Sequence, residues 1–289
     1  MPITFKQVAH TYNPDSPLSY AALKNVNLDI AEGKVTAIIG ETGSGKSTLV
    51  QHLNALLLPS EGKIEIIDKI IYAQEKPKNL KDLRKQVGLV FQFPEYQLFE
   101  ETIEKDISFG PKNFGVSEEE AKQKAKQMLS IVGLDESYLE RSPFDLSGGQ
   151  KRRIAIAGIL AMDPQVLVLL ILDEPTAGLD PQGAKDMMQL FVRMNKEFHK
   201  TVLIVTHDME HVLQYCDEVV VMQNGEVAQT CDVRSFFEQI ALLEQLHINP
   251  PAVIRLREEL RRKGFTIDKT ILDIDELARV VASEVKMHE

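Results

Sequence analysis

The sequence predicts an α/β protein with a parallel core sheet, an N-terminal antiparallel β subdomain, an inserted α-helical subdomain and a small C-terminal helical extension. Three observations carry that prediction. Val35-Thr36-Ala37-Ile38-Ile39 is a buried-strand run that leads directly into the glycine-rich octapeptide Gly40-Glu41-Thr42-Gly43-Ser44-Gly45-Lys46-Ser47. Val166 to Leu172, Val202 to Thr206 and Glu218 to Met222 are short apolar runs separated by helical stretches, as expected of strands covered on both faces. Ser117 with Glu120 three residues on forms a capping box, after which Ala121, Ala125, Met128, Leu129 and Val132 recur at helical spacing.

From the N-terminus, Ile3 to Ala9, Val26 to Ile30 and Lys63 to Ile67 alternate with the turns Glu32-Gly33 and Pro59-Ser60-Glu61-Gly62, which predicts a small antiparallel sheet beside the octapeptide. Thr48 to Leu58 places Leu49, Leu53, Leu56 and Leu57 on one helix face, so the octapeptide stands between a strand and a helix. Asn224-Gly225 between Val219-Val220-Val221 and Val227-Ala228 is a hairpin signal, and the core is expected to close there. Beyond Ser235, the groups Phe236, Phe237, Ile240, Leu243, then Val253, Leu256, Leu260, then Leu277, Val280, Val281 predict amphipathic helices around a Pro250-Pro251 break. The expected division is a main domain over residues 1–232, with its helical subdomain at about 93–163, and a helical extension over 233–289. Whether that extension is a separate domain or packs on the core stays open at this point.

A chain of 289 residues is enough for one full core and a small appended piece. A formal net charge of −10 and a pI near 5.3 argue against nucleic acid as a partner, which would need a concentrated basic stripe. The longest apolar run, Val166 to Leu172, falls far short of the roughly 20 residues that span a bilayer, and the N-terminus lacks a basic stretch followed by an apolar one. The expectation is a chain neither secreted nor membrane-spanning. Cys216 and Cys231 match no metal or redox spacing, so both are expected to be reduced thiols outside the mechanism.

The octapeptide has the composition of a phosphate cradle. Its glycines let the backbone curl so that several N–H groups converge on an anion, Lys46 would reach the β- and γ-phosphates, and the Ser47 hydroxyl would ligate Mg²⁺. Asp173 and Glu174 end the apolar run at the edge of the sheet, placed to hold the metal through Asp173 and to activate a water through Glu174 as general base. His207 follows a strand and precedes Asp208, a helix cap; hydrogen bonding to the γ-phosphate is preferred over a structural role. Gln92 ends the run Val87 to Phe91, where its amide can touch metal and water, and a plain surface glutamine remains the alternative. Tyr12 is placed to stack on a base, or to cover the edge of the small sheet. Ser147-Gly148-Gly149-Gln150, before a helix expected from Lys151 to Ala161, offers a second anion nest. One nucleotide has one γ-phosphate, so the second nest implies a dimer that clamps two nucleotides.

With these residues in order, Leu146-Ser147-Gly148-Gly149-Gln150 and Ile171-Leu172-Asp173-Glu174-Pro175 included, residues 1 to 232 resemble the ATP-binding-cassette family. The resemblance implies ATP and Mg²⁺ as cofactors, the nucleotide held by Tyr12 and by Gly40 to Thr48, and metal at Ser47, Gln92 and Asp173. It implies Leu146 to Gln150 as the signature, Ala177-Gly178-Leu179-Asp180 as the loop across a dimer interface, and His207 as the switch histidine.

A narrower likeness lies in Phe91-Gln92-Phe93-Pro94-Glu95-Tyr96-Gln97-Leu98-Phe99-Glu100-Glu101-Thr102, in Ser108 to Gly115 and in Glu140 to Gln150. These stretches resemble the second of the two homologous ATPase subunits of energy-coupling factor (ECF) transporters. That family implies a peripheral subunit on the cytoplasmic face of the cell membrane, paired with a homologous ATPase. A transmembrane T component would bind it, and a substrate-binding S component would act indirectly, in the import of vitamins or transition-metal ions. The rival, a soluble cassette ATPase acting on nucleic acid or ribosomes, usually needs a coiled-coil insertion or a second cassette, and neither fits in this acidic chain.

Phe91, Phe93, Tyr96 and Phe99, with Glu95, Glu100, Glu101 and Glu104, predict an aromatic groove with an acidic rim near Gln92 to Glu104, suited to a T-component helix carrying arginines. One departure from the family is the length of the run between Pro164 and Asp173, a few residues greater than usual. A bulge, an extended strand start or a looser loop near Asp163-Pro164 would absorb it.

Overall fold

The computed structural model describes residues 3–73, 75, 78–170 and 181–288. Among the described residues, ten strands form two sheets. The first is antiparallel, in the order β2 (Tyr20–Ile30), β1 (Ile3–Tyr12), β4 (Glu61–Ile66), β5 (Lys69–Tyr72). The second has the order β10 (Glu226–Asp232), β9 (Glu218–Gln223), β3 (Val35–Ile39), β8 (Thr201–Val205), β7 (Val166–Leu170), β6 (Val87–Val90). Its inner strands are parallel, and only the β9–β10 hairpin runs antiparallel. β3 and β8 are buried at every residue, because helices cover both faces. Asn224 (φ 53°) and Gly225 (φ 85°) both take the left-handed conformation that a two-residue hairpin requires.

The helices are α1 (Lys46–Gln51), α2 (Leu80–Gln86), α3 (Ile103–Asn113), α4 (Glu118–Ile131), α5 (Gly148–Leu160), α6 (Pro181–Phe198), α7 (Met209–Tyr215), α8 (Val233–Glu238), α9 (Ile240–Gln245), α10 (Ala252–Arg262) and α11 (Ile274–His288). Among the described residues, no helix is long and apolar enough to cross a membrane. The expected capping box at Ser117 is half realised: its side chain accepts the Glu120 N–H at 3.3 Å and starts α4. α3 precedes it, inside the expected helical span of about 93–163, although it carries Pro111 near its end. Thr102 caps α3 and its Ile103 and Ile107 are fully buried, so burial of that face outweighs the proline's lost hydrogen bond.

The extension packs on the core. Phe236, Phe237, Leu243, Ile254 and Leu277 share one buried cluster with Ala37 and Ile39 of β3 and Val219 and Val221 of β9. Arg257 of α10 is fully buried at its centre. Its guanidinium donates to the carbonyls of Ile271 (3.1 Å), Lys269 and Phe237 (3.5 Å), and Nε donates to Glu258 at 2.9 Å. One planar, permanently charged fork thereby ties α8, α10 and the segment before α11. Replacement by alanine leaves those carbonyls without a donor and opens a cavity, so R257A should lower stability by about 3 kcal/mol, measured by denaturant unfolding, with amide exchange rising first in α10 and α11.

Candidate nucleotide site

The octapeptide follows β3 as expected, and its backbone shape comes from contacts that exclude side chains. Gly40 has φ +143°, and a Cβ there would lie 2.1 Å from the Met222 carbonyl oxygen of β9. Gly45, at φ +101°, would place a Cβ 2.6 Å from the Ala22 carbonyl oxygen of β2. The loop is therefore wedged between the two sheets, where only glycine fits. The Gly225 N–H donates to the Ser44 carbonyl at 3.1 Å, and the Tyr20 hydroxyl donates to the Gly43 carbonyl at 3.0 Å. Lys46 is buried, and its ammonium donates to the Gly40 and Glu41 carbonyls at 2.7 and 2.8 Å, folded over the cradle it is expected to serve.

The helix behind the loop is shorter than its leucines predict. α1 ends at Gln51, the chain turns through Ala55 at φ 52°, and Leu56 is 51% exposed while Leu49 and Leu53 are buried. Local turn geometry at Asn54, whose side chain accepts the Leu56 N–H at 3.1 Å, overrides the periodicity.

A cavity of about 470 Å³ opens over the loop. Gly40 to Gly43 and Gly45 to Thr48 line it, with Thr206 and His207 from the end of β8 on the other side. Asp208 caps α7 by accepting the His211 N–H at 3.1 Å, and its own N–H donates to the Thr206 hydroxyl at 3.0 Å, which fixes the bend that presents His207. The donors of this cavity include backbone amides, the Lys46 ammonium, hydroxyls and the His207 imidazole, a set suited to a polyphosphate.

Residues 23–177 match the family model described as ABC transporter. The chain belongs to the ABC transporter family. It is 53% identical over 278 residues to the energy-coupling factor transporter ATP-binding protein EcfA2 of Enterococcus faecalis, covering 96% of this chain and 95% of that protein. This similarity places it among the ECF transporter ATP-binding proteins, and the chain is a cassette ATPase. Among solved structures, cbiO1 from Clostridium perfringens, part of the ABC transporter complex cbiONQ, superposes with a TM-score of 0.72 at 38% identity, covering 89% of this chain and 98% of that one. The ATP-binding cassette MJ0796, in a dimeric post-hydrolysis structure bound to ADP and Pi, superposes at 0.69 with 33% identity, covering 80% and 98%.

Other expected cassette residues lie around this cavity or away from it. Tyr12 ends β1 half-buried and does not line the cavity; its hydroxyl shares a hydrogen bond with the Thr48 hydroxyl at 3.2 Å, and its ring meets His10 edge-on at 4.6 Å. Gln92 lies two residues beyond β6, at the far edge of the sheet from β9, and is not among the cavity's lining residues. Ser147 is the N-cap of α5 in a full capping box, so that helix starts at Gly148, three residues before the expected Lys151. Its side chain accepts the Gln150 N–H at 3.4 Å and its backbone N–H donates to the Gln150 side chain at 3.1 Å; Gly148 and Gly149 form the open first turn. Asp173, Glu174 and Asp180 lie outside the described residues. β7 pairs in unbroken register with β8 from Val166 to Leu170 and with β6 from Val166 to Leu169, which rules out a bulge within those residues as the place for the extra length.

Glu95 is not a rim charge of the aromatic groove. It makes a two-pronged pair with Arg152 of α5 at 3.1 and 3.1 Å, both side chains largely buried, and so fastens the segment after Gln92 to α5. Asp106 accepts the Phe99 and Glu100 N–H groups at 3.2 and 3.0 Å, and burial raises its pKa. Tyr96 (83% exposed), Phe99 and Phe109 remain at the surface, with Glu101 paired to Lys105 at 2.7 Å and Glu104 to Lys122 at 3.5 Å.

Sequence reasoning passed over His10 and His52. His10 and Tyr12 sit two residues apart on one strand face, a spacing visible in the sequence, but the partner ring of His52 comes from α1's far end. His52 donates from Nδ1 to the Thr48 carbonyl at 2.6 Å, and its ring meets His10 at 4.9 Å. Burial lowers its pKa from 6.5 to about 4. Folded His52 stays neutral where the unfolded chain would protonate it. The stability this contributes is complete above pH 6.5 and is lost as pH falls toward 4. H52Q should therefore flatten the dependence of Tm on pH in that window relative to the wild type, read by scanning calorimetry.

Proposed function

We propose that this chain is one of two ATPase subunits of an ECF importer, in which ATP binding closes a dimer and hydrolysis reopens it to drive membrane partners. The observation that carries the reading is the cavity in which the glycine-wedged loop and His207 face each other. Near-complete alignment with an ECF ATP-binding protein supports it. The expected division into a cassette over residues 1–232 and an extension over 233–289 belongs to the same reading.

In this reading the amides of Gly40 to Gly45 and the Lys46 ammonium bind the β- and γ-phosphates once the ammonium swings off its two carbonyls, and Thr48 steadies the α-phosphate end. Tyr12, set by Thr48 and His10, presents its ring to the base. His207 donates to the γ-phosphate, Gln92 orients the attacking water, and Glu174 accepts its proton. Magnesium, when bound, neutralises charge on the β- and γ-phosphoryl oxygens. The Ser47 hydroxyl, Gln92 and the Asp173 carboxylate are oxygen donors of the kind that ion prefers. Ser147 to Gln150 close over the nucleotide of a homologous partner, with Asp180 at the interface between the two subunits; the dimer of MJ0796 supports such an arrangement. The exposed Tyr96, Phe99 and Phe109 receive a helix of a T component, at the cytoplasmic face of the membrane. The S component acts indirectly, and the cargo is a vitamin or a transition-metal ion.

E174Q should keep ATP binding while lowering turnover by about 10² to 10⁴-fold, with a closed ATP-bound dimer accumulating on size exclusion; rapid steady hydrolysis would count against the general base. Reversing the docking charge in E100K/E101K should leave ATP hydrolysis by the isolated ATPase pair intact while uptake into proteoliposomes falls at least about tenfold.

A further inference from the structure

The cavity over the phosphate loop has a wall that the cassette core does not supply. Leu246, His247, Ile248 and Asn249, the turn between α9 and α10, line it together with Lys46, Ser47 and His207. We propose that this turn is part of the nucleotide site, and that the side chains of His247 and Asn249 contact the phosphate end of the bound nucleotide. The inference rests on the nucleotide-site reading above and extends it to the C-terminal extension.

The local geometry is that of a helix terminus built to present one residue. The Ile248 N–H donates to the Leu243 carbonyl at 2.9 Å and the His247 N–H to the Glu244 carbonyl at 3.1 Å, the paired bonds of a Schellman end, with Ile248 and Leu243 in the same apolar cluster. The residue between them must be left-handed, a position that favours glycine. Here it is His247, at φ 51°. An L side chain is held in a penalised conformation at the mouth of a cavity, the circumstance in which strain accompanies function. Leu246 is buried beneath the turn, while His247 and Asn249 are exposed. Both can donate a hydrogen bond, and the cavity they face is lined by the cationic, amide-rich side of the loop, where a polyphosphate would lie.

The turn is also fixed to the switch-histidine bend. α7 begins two residues after His207, and its Glu210 carboxylate accepts the Ala252 N–H at 2.7 Å, at the first residue of α10. That bond places a carboxylate on the positive end of a helix. Met209 and Val212 of α7 are buried in one cluster with Leu246 and Ile254. The extension's contact with the cavity is therefore held on both sides of the turn, by α9 and by α10.

The test measures ATP affinity and Tm on the full chain for the wild type, H247G, N249A and K46A. Glycine preserves the left-handed backbone, so H247G should unfold at the same temperature as the wild type or higher. Loss of a hydrogen bond to a charged oxygen should weaken ATP binding about tenfold. Weaker binding in either H247G or N249A at an unchanged or raised Tm supports the assignment. Unchanged affinity in both, or affinity falling only together with Tm, overturns it. K46A separates the two levels: if it binds ATP as the wild type does, the nucleotide-site reading itself fails, whereas loss in K46A with wild-type affinity in H247G and N249A removes only the role of the turn.

Discussion

The glycine-rich loop from Gly40 to Ser47 is shaped by backbone pressed against backbone, and the rest of the candidate site depends on that constraint. Gly40 lies under the Met222 carbonyl of β9, Gly45 under the Ala22 carbonyl of β2, and the Gly225 N–H of the β9–β10 turn holds the Ser44 carbonyl. Lys24 in turn donates from its N–H to the Gly225 carbonyl at 2.8 Å, so the hairpin turn bridges the two sheets at the loop. A Cβ at Gly225 would meet the Ala22 carbonyl at 2.9 Å, which makes this glycine a second wedge rather than a mere turn former. A loop so confined has little freedom to reorganise, and preorganised amides bind an anion without the cost of ordering them.

The elements that were legible in the sequence are those with one dominant local signal. Val35 to Ile39 before the glycines, Asn224-Gly225 between valines, and Asp208 before α7 each formed what their chemistry demands. Elsewhere the hydrophobic pattern yields to local turn geometry or to tertiary contacts. The leucines from Leu49 to Leu57 have helical spacing, yet α1 stops at Gln51 because Asn54 and Ala55 turn the chain back toward β4. α3 carries a proline and still forms, since Ile103 and Ile107 have a core to enter. Glu95 looked like surface charge in a run of glutamates, and only the fold brings Arg152, 57 residues away, to meet it.

That Glu95–Arg152 pair changes the physical picture of the aromatic groove. A rim glutamate would steer a partner through long-range charge, whereas a buried, two-pronged pair acts as a strut. It joins the segment after Gln92 to the same helix whose N-terminus carries Ser147 to Gln150. Displacement of the surface aromatics by a docked helix would therefore be transmitted to α5 through a contact of defined geometry. Of the remaining groove acids, Glu101 is paired with Lys105 and Glu104 with Lys122, so a docked helix would be held by the exposed rings of Tyr96, Phe99 and Phe109 together with the charge of Glu100 and what those pairs leave.

The extension stands in a comparable relation to the opposite side of the site. Its helices bury Phe236, Phe237 and Leu243 against β3 and β9, the two strands that carry the glycine-rich loop and the wedge over Gly40. Arg257 of α10 locks that packing from within by serving carbonyls of two other segments, α8 and the stretch before α11. A cassette core needs none of this to form its sheet, since β3 already pairs with both β8 and β9. What the extension adds is stiffness beneath the loop and, through the turn after α9, a surface that reaches the cavity itself. Any movement of these helices is thus felt by two walls of one pocket, because they share the residues that support the loop and the bend that presents His207.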